Sequence, residues 1–319
     1  MRILANDGIS PSGKNKLEEA GFTVDLTKVA QDQLESYCKE HNVEAILVRS
    51  ATKVRQDLID ALEGQLKLIG RGGVGMDNID VDYAKSKGIH VINTPAASSR
   101  SVAELVFAHL MGMVRFLFDS NQKMPLEGET NFKVLKKNYG GGSELKGKTI
   151  GIIGLGRIGR EVAKMAYGLG MNIAGHDAYF KEPFDLEMEF ADGQSLKTQI
   201  KPTSMEEVLK SSDFITVHIS GAGQSLIGAK EIAMMKDNAG IINTARGGVV
   251  NEEALLEALE DGKLKYAGLD VFENEPNPKI SILMSPYTSL SPHIGAATME
   301  AQDRIGEELA DQISSLLKN

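Results

Sequence analysis

Short β-branched runs alternate with amphipathic stretches almost from the first residue of this chain, and that alternation restricts the fold more than any other feature. Residues 2–5, 22–26, 44–48, 66–69 and 89–93 read as strands with helical patterns between them. Strands separated by helices pair in parallel, because a parallel neighbour can only be reached through a long crossover. A second series begins at Thr149 with TIGIIG and continues through a helix over 157–169, then MNIAGH, DFITVH, AGIINT and KYAGLD. The expected fold is α/β: two doubly wound parallel-sheet domains, one flavodoxin-like and one Rossmann-like, with a cleft between them as the expected site. A length of 319 residues agrees, since single cores stop growing near roughly 250–300 residues. The expected boundaries are 1–98 with 293–319 for one domain and 99–292 for the other. A long helix over 98–118, a Gly- and Lys-rich loop over 124–148 and a last helix over 297–317, free to pack on either domain, complete the outline.

The pattern G-x-G-x-x-G occurs twice, at Gly70, Gly72, Gly75 and at Gly154, Gly156, Gly159, so context has to separate the copies. A dinucleotide loop leaves a strand, opens a helix, and is followed about 20 residues on by an acid for the ribose hydroxyls. The second copy meets each condition: strand 149–153, a helix with Ile158, Val162, Ala163, Ala166 and Leu169 on one face, then a strand ending in Asp177. A carboxylate at Asp177 repels a 2′-phosphate, which favours NAD over NADP, with Lys181 the only nearby cation. The first copy leads to a strand ending in Asn93 and is either a tight structural turn or an anion-binding turn carrying Arg71. A P-loop pattern over 142–149 is rejected, because it runs into a strand and not into a helix.

In open parallel sheets, ligands bind beyond the carboxyl ends of the strands. The residues found there are Arg49, Ser50, Arg71, Gly72, Gly73, Asp177, His218, Thr244, Ala245, Arg246 and Asp270, with Glu275 and His293 in the loops beyond. Such a set suits hydride removal from a carbinol carbon. His293 or His218 could take the hydroxyl proton, a carboxylate could fix the imidazole tautomer, and an Arg could fork onto a substrate carboxylate. A formal charge of −9 and a pI near 5.3 leave no global basic field for nucleic acid or an anionic membrane. One cysteine, Cys38, excludes an internal disulfide and any multi-cysteine metal site, and no metal is expected. The longest apolar run, 102–118, is shorter than the ~20 residues that span a bilayer, and MRILAND carries no leader pattern, so a cytoplasmic protein is expected.

The segments VRSATKV (48–54), GRGGVGMDNID (70–80), SRSVAELV (99–106), GKTIGIIGLGRIGREVA (147–163), NTARGGVVNEEAL (243–255), GLDVFENEP (268–276) and SPHIGAAT (291–298) together resemble the D-isomer-specific 2-hydroxyacid dehydrogenases. Within that family they look most like the branch that oxidises 3-phosphoglycerate to 3-phosphohydroxypyruvate with NAD at the entry to serine synthesis. The resemblance implies that His293 is the acid/base, Glu275 its carboxylate partner and Arg246 the anchor of the substrate carboxylate and keto oxygen. It implies cofactor contacts from Gly154, Gly156, Arg157, Ile158, Gly159, Asp177, His218, Thr244, Ala245, Arg246, Asp270, His293 and Gly295. On the substrate side it implies Arg49, Ser50, Lys53, Arg71, Gly72 and Gly73, with Arg49 and Arg71 foremost for the phosphate. It further implies a homodimer, with a tetramer as the variant, and a small anionic 2-hydroxy or 2-keto acid as the ligand. Glyoxylate or hydroxypyruvate reduction is the alternative in the same class, and an NAD-sensing corepressor-like protein the alternative outside it. The chain departs from the family in the loop ISGAGQSLIG after His218 and in having Phe132 where the linker often carries Trp. It ends after the last helix, so serine feedback through an added C-terminal domain is not expected.

Overall fold

The computed structural model describes residues 1–219 and 225–317. It divides into two compact units, Met1–Ser101 with Ala296–Asn319, and Val102–Gly295, which places His293 in the second unit. Residues 220–224, in the loop singled out after His218, lie outside the described residues.

The first unit is a five-stranded parallel sheet of β1 (Arg2–Ala5), β2 (Thr23–Asp25), β3 (Val43–Val48), β4 (Leu68–Arg71) and β5 (His90–Asn93), in the order β2-β1-β3-β4-β5. That is the flavodoxin-like order. Successive strand residues feed opposite layers. Leu4, Ile46, Val48 and Ile69 pack with Leu34, Leu58 and Ile59, whereas Ile3, Ala5, Leu47 and Leu68 pack with Leu17, Ile305, Leu309 and Ile313. Both faces are therefore covered, which is why the strands are nearly unbroken apolar runs. The last helix, Met299–Leu317, packs in this unit against the helix Pro11–Glu19. Gly13 and Gly306 let the two backbones meet, since a Cβ at Gly13 would lie 2.5 Å from Gly306 Cα. Cys38 is buried, and burial pushes its thiol up to about 11, which leaves it an inert core residue.

The second unit carries six parallel strands: β6 (Thr149–Ile153), β7 (Asn172–His176), β10 (Phe214–Val217), β11 (Ala239–Asn243), β12 (Leu264–Leu269) and β13 (Thr288–Leu290). Their order is β13-β12-β11-β10-β6-β7, so the direction of winding reverses between β6 and β10. Between β7 and β10 the chain forms an antiparallel hairpin, β8 (Phe184–Glu189) with β9 (Ser195–Ile200), which the sequence outline lacks. Leu186, Met188 and Ile200 bury its inner face, and Arg160 lies over the Phe184 ring, 4.3 Å from its centroid. Beyond the hairpin, Pro202 makes a single parallel bridge to Gly175 at the edge of β7.

The expected long helix ends early. Ser99–Val114 is helical, Phe116 takes φ +54, and a second helix, Leu117–Asn138, leaves at a 56° bend. The expected loop over 124–148 is thus helical as far as Asn138, correcting that reading. Pro125, Gly128 and the lysines suggested a loop, but Pro125 is tolerated inside the helix and Asn131 absorbs a local break. Phe132 stands exposed on this helix. Among the described residues no single helix is long and apolar enough to cross a membrane.

Candidate active site

The turn after β6 shows what two of its three glycines are needed for. Gly154 takes φ +101, and a Cβ on it would run into the His218 carbonyl at the end of the neighbouring strand β10. A Cβ on Gly159 would run into the Gly154 carbonyl, so helix Arg157–Gly168 can sit on the strand only without one. Gly156 is the N-cap and offers no side chain to the first helical N–H groups; a Cβ there would project into open space. A bare helix N-terminus facing open space suits the pyrophosphate of a dinucleotide. Arg157 and Ile158 form the first turn of that helix.

Asp177, just past β7, is buried and held by three backbone N–H donors: Leu155 at 2.7 Å to Oδ2, and Tyr179 at 2.8 Å and Phe180 at 3.1 Å to Oδ1. Burial raises its pKa, yet those donors and His176 outweigh it and hold the carboxyl below its ordinary value. Oδ2 has one lone pair to spare for a ribose hydroxyl. Lys181 turns its ammonium to the Asp177 carbonyl at 2.9 Å. His218 Nε2 meets Thr216 Oγ1 at 2.9 Å, and burial lowers the ring to about 3, keeping it neutral. Of the buried side-chain polar atoms without a hydrogen-bond partner among the described residues, two lie just past the ends of β10 and β11, His218 Nδ1 and Thr244 Oγ1. Both belong to residues expected to touch the cofactor. Donor turn, spare carboxylate lone pair and orphaned atoms together fit a bound NAD.

The Glu275 and His293 pair, expected from the sequence as the acid–base group, is built on the same sheet edge. After β11, Asn243 clamps the turn by donating to the Arg246 carbonyl at 2.9 Å and accepting from Ala245 N–H at 3.0 Å. Arg246 Nη1 donates to the Ala245 carbonyl at 2.7 Å. A Cβ on Gly247 would run into the Phe272 carbonyl, so this turn lies against the loop after β12. Phe272 N–H fixes Glu275 Oε1 at 2.9 Å, and Glu275 Oε2 lies 2.7 Å from His293 Nδ1. His293 is held at φ +54, an uncommon backbone setting for a residue with a side chain. Because an ionised carboxylate can only accept, Nδ1 carries the proton and neutral His293 presents a bare Nε2.

The electrostatics agree. The hydrogen bond to Glu275 raises the His293 pKa above its ordinary value against the pull of burial and the Arg246 charge. Burial raises Glu275, but His293, the Phe272 N–H and Arg246 outweigh it and lower the carboxyl. Arg246 thus acts on both members of the pair. A cavity of about 400 Å³ borders the pair, walled by Phe272, Pro276, Leu283, Leu290 and Pro292. Asp270 Oδ2 receives Gly295 N–H at 2.9 Å.

In the first unit a second polar cluster forms at the ends of β1, β3 and β4. Asp7 accepts from Arg49 N–H at 2.7 Å and from the Thr52 hydroxyl at 2.7 Å. Asn78 donates to the carbonyls of Arg49 at 2.8 Å and Thr52 at 2.6 Å, and Arg71 Nε donates to Arg49 O at 3.1 Å. Gly73 N–H donates to Thr94 Oγ1 at 2.8 Å. Burial lowers the Arg49 guanidinium from its usual value and Asp7 opposes that. Arg49, Arg71, Gly72 and Gly73 are thereby held in one braced loop pair, whereas Ser50 and Lys53 stand exposed, Lys53 paired only through its backbone to Gln31. The strand-end rule that selected Arg49 would also have found Asp7, which follows β1; Asn78, Thr94 and Asn243 carry no sequence signal beyond being polar in apolar surroundings. Among the described residues no group of His, Cys, Asp and Glu could hold a metal.

Comparison with known proteins agrees with this geometry. Residues 107–295 match the family profile described as D-isomer specific 2-hydroxyacid dehydrogenase, NAD binding domain. The chain belongs to the D-isomer-specific 2-hydroxyacid dehydrogenases. Like them, it binds NAD. It is 41% identical over its whole length to the D-3-phosphoglycerate dehydrogenase of Methanocaldococcus jannaschii, of which it spans 58%. It is 40% identical over 98% of its length to the hydroxypyruvate reductase of Thermotoga maritima, of which it covers 97%. Among solved structures, the glyoxylate reductase of Paecilomyes thermophila superposes with a TM-score of 0.77 at 31% identity, covering 99% of this chain and 94% of that one.

Proposed function

We propose that this dehydrogenase oxidises 3-phospho-D-glycerate to 3-phosphohydroxypyruvate with NAD, at the entry to serine biosynthesis and as a homodimer. The observation that carries the phosphorylated substrate is the braced loop pair bearing Arg49 and Arg71 at strand ends. Asp7 and Asn78 hold the Arg49 backbone, and the Arg49 carbonyl and Asn78 hold Arg71 Nε, an arrangement of two guanidinium side chains suited to a dianionic phosphate. Met1–Ser101 with 296–319 would be the substrate unit and Val102–Gly295 the cofactor unit. Arg246 binds the substrate carboxylate and the C2 oxygen. His293 Nε2 takes the C2 hydroxyl proton, and Glu275 stabilises the imidazolium that results. Bound NAD supplies the acceptor for the hydride that leaves C2. The turn Gly154–Gly159 holds its pyrophosphate, Asp177 its ribose, and His218, Thr244, Ala245, Asp270 and Gly295 its remaining edges.

The hydroxypyruvate reductase relative, matched along almost its entire length, supports reduction of an unphosphorylated keto acid as the second reading. Absorbance of NADH, followed with 2-hydroxy and 2-keto acids with and without a phosphate, separates the two. The proposal expects the highest kcat/KM for the phosphorylated acid. His293→Ala should lower kcat by about 10²–10⁴ with KM nearly unchanged. A preference for hydroxypyruvate or glyoxylate over the phosphorylated acid would replace the first reading with the second.

A further inference from the structure

His109 lies on helix Ser99–Val114, buried between that helix and strands β12 and β13, and takes no part in the reaction as described. Gly268 on β12 makes room for it, because a Cβ there would come within 3.0 Å of His109 Cβ. Both ring nitrogens are engaged: Nδ1 lies 2.8 Å from Ser289 Oγ and Nε2 lies 2.9 Å from Ser291 Oγ. The Ser291 hydroxyl donates to Asp270 Oδ1 at 2.6 Å. Its single proton is thereby committed, so Ser291 must accept from His109 Nε2–H, and the bare Nδ1 must accept from the Ser289 hydroxyl. The direction of every hydrogen bond in the chain Ser289, His109, Ser291, Asp270 follows from that one donor.

The far end of the chain is the catalytic loop. Asp270 Oδ1 also receives Ile294 N–H at 2.8 Å, and His293 N–H donates to the Ser291 carbonyl at 3.1 Å. The residue at φ +54 therefore sits between two anchors, both tied to Ser291. We propose that His109 is a positioning residue, which through Ser291 orients the Asp270 carboxylate and through Asp270 fixes the left-handed turn presenting the His293 ring. This rests on the acid–base reading of His293 given above. Burial, opposed by the Asp270 charge, lowers the His109 pKa and keeps the ring in the neutral form that the chain requires.

The test uses the full chain with His109→Leu, which removes both ring nitrogens, and His109→Gln, whose amide returns an N–H near the place of Nε2. His109→Leu should lower kcat about tenfold or more, since small misplacements of a reacting group are costly. KM for the acid should stay within about twofold, and NADH affinity, read by NADH fluorescence, should fall by less than kcat does, since Asp270 is one of several groups proposed at the cofactor. His109→Gln should recover most of the loss. Nitrogen-15 NMR of the imidazoles supplies a readout independent of turnover: wild-type His109 should show a protonated Nε2 and a bare Nδ1, and the His293 signals should move in His109→Leu. If His109→Leu does not fold, Ser291→Ala breaks the same chain and should move the same His293 signals. A His109 protonated at Nδ1, or a kcat within about twofold of wild type together with unmoved His293 signals, would overturn the inference. A wild-type chain turning over no 2-hydroxy acid would sink the reaction proposed above, while the NMR arms would still decide the role of His109.

Discussion

Both units carry G-x-G-x-x-G after a strand of a parallel sheet, yet they build unlike turns. In the second unit the glycines serve one structure: Gly154 takes a left-handed backbone against His218, Gly159 gives the close seat of helix on strand, and Gly156 leaves the helix start uncapped and open. In the first unit Gly70 is still inside β4, where a Cβ would lie 2.7 Å from a methyl of Leu47, and Gly72 faces Ile305 of the last helix. Gly73 takes φ +146 beside the Arg71 guanidinium, and the next helix, Val81–Ser86, begins only several residues later. Spacing of glycines records only that the backbone is approached closely. What approaches it differs between the two: the start of a helix in the second unit, the Arg71 guanidinium in the first.

The largest effect that could break this contrast is at Gly159. Gly159→Ala sets a methyl against the Gly154 carbonyl, which nothing flexible can relieve, so the helix start must shift. NADH affinity should fall about a hundredfold or more and stability by about 1–3 kcal/mol, read by NADH fluorescence and thermal melting. Gly72→Ala meets side chains and no backbone, Ile305 nearest at 3.1 Å, and should leave NADH affinity unchanged. Equal losses in the two variants would erase the distinction.

Next is the arginine of the first turn. Each hydrogen bond to a charged group contributes about 1.5–3 kcal/mol, so Arg71→Ala should raise KM for the phosphorylated acid roughly tenfold to a hundredfold. An unphosphorylated 2-hydroxy acid should be affected far less. A uniform loss over both acids would make Arg71 a structural residue, and the first turn a plain strand end.

Glu275→Gln sharpens the contrast from the other side. Oxidation needs a bare Nε2, so kcat/KM rises with pH through the His293 pKa, which the Glu275 hydrogen bond raises. Removing that charge lowers the pKa, and the rising limb of the profile moves to lower pH while the plateau falls about tenfold. A limb that stayed in place would detach the titration from His293.

The parallel sheets, the glycine turn after β6 and the residues that come together around Glu275 and His293 were legible because each rests on local chain chemistry. Apolar runs of four to six residues separated by amphipathic segments leave few other solutions, and GLGRIG with Asp177 states strand, turn and helix within one short stretch. Asp7 was within reach of the strand-end rule, whereas Asn78 was not legible, since the carbonyls it braces belong to Arg49 and Thr52. Asn243, though its partners Ala245 and Arg246 are local, is marked by nothing but a polar side chain in apolar surroundings. His109 appeared only as a polar interruption in an apolar helix, because its two serine partners are 180 and 182 residues away. The helix Leu117–Asn138 was hidden by Pro125 and by glycine-rich sequence after it, and the hairpin β8–β9 by strands whose outer faces are charged.

The smallest effect tests whether bracing residues matter only to their own unit. Asn78 ties the loop after β3 to Arg71, donating to the carbonyls of Arg49 and Thr52 and accepting from the Arg71 side-chain Nε at 3.1 Å. Asn78→Ala leaves both arginines present but removes the group that sets their separation, so KM for the phosphorylated acid should rise only a few-fold. Because the hydrogen bonds of Asn78 run to Arg49, Thr52 and Arg71 of its own unit, NADH affinity and the pH limb should stay where they are. A shift of that limb comparable with the Glu275→Gln shift would show that the two polar clusters are energetically one. The first turn would then owe its arrangement to the chemistry of the second, and not to the strands that carry it.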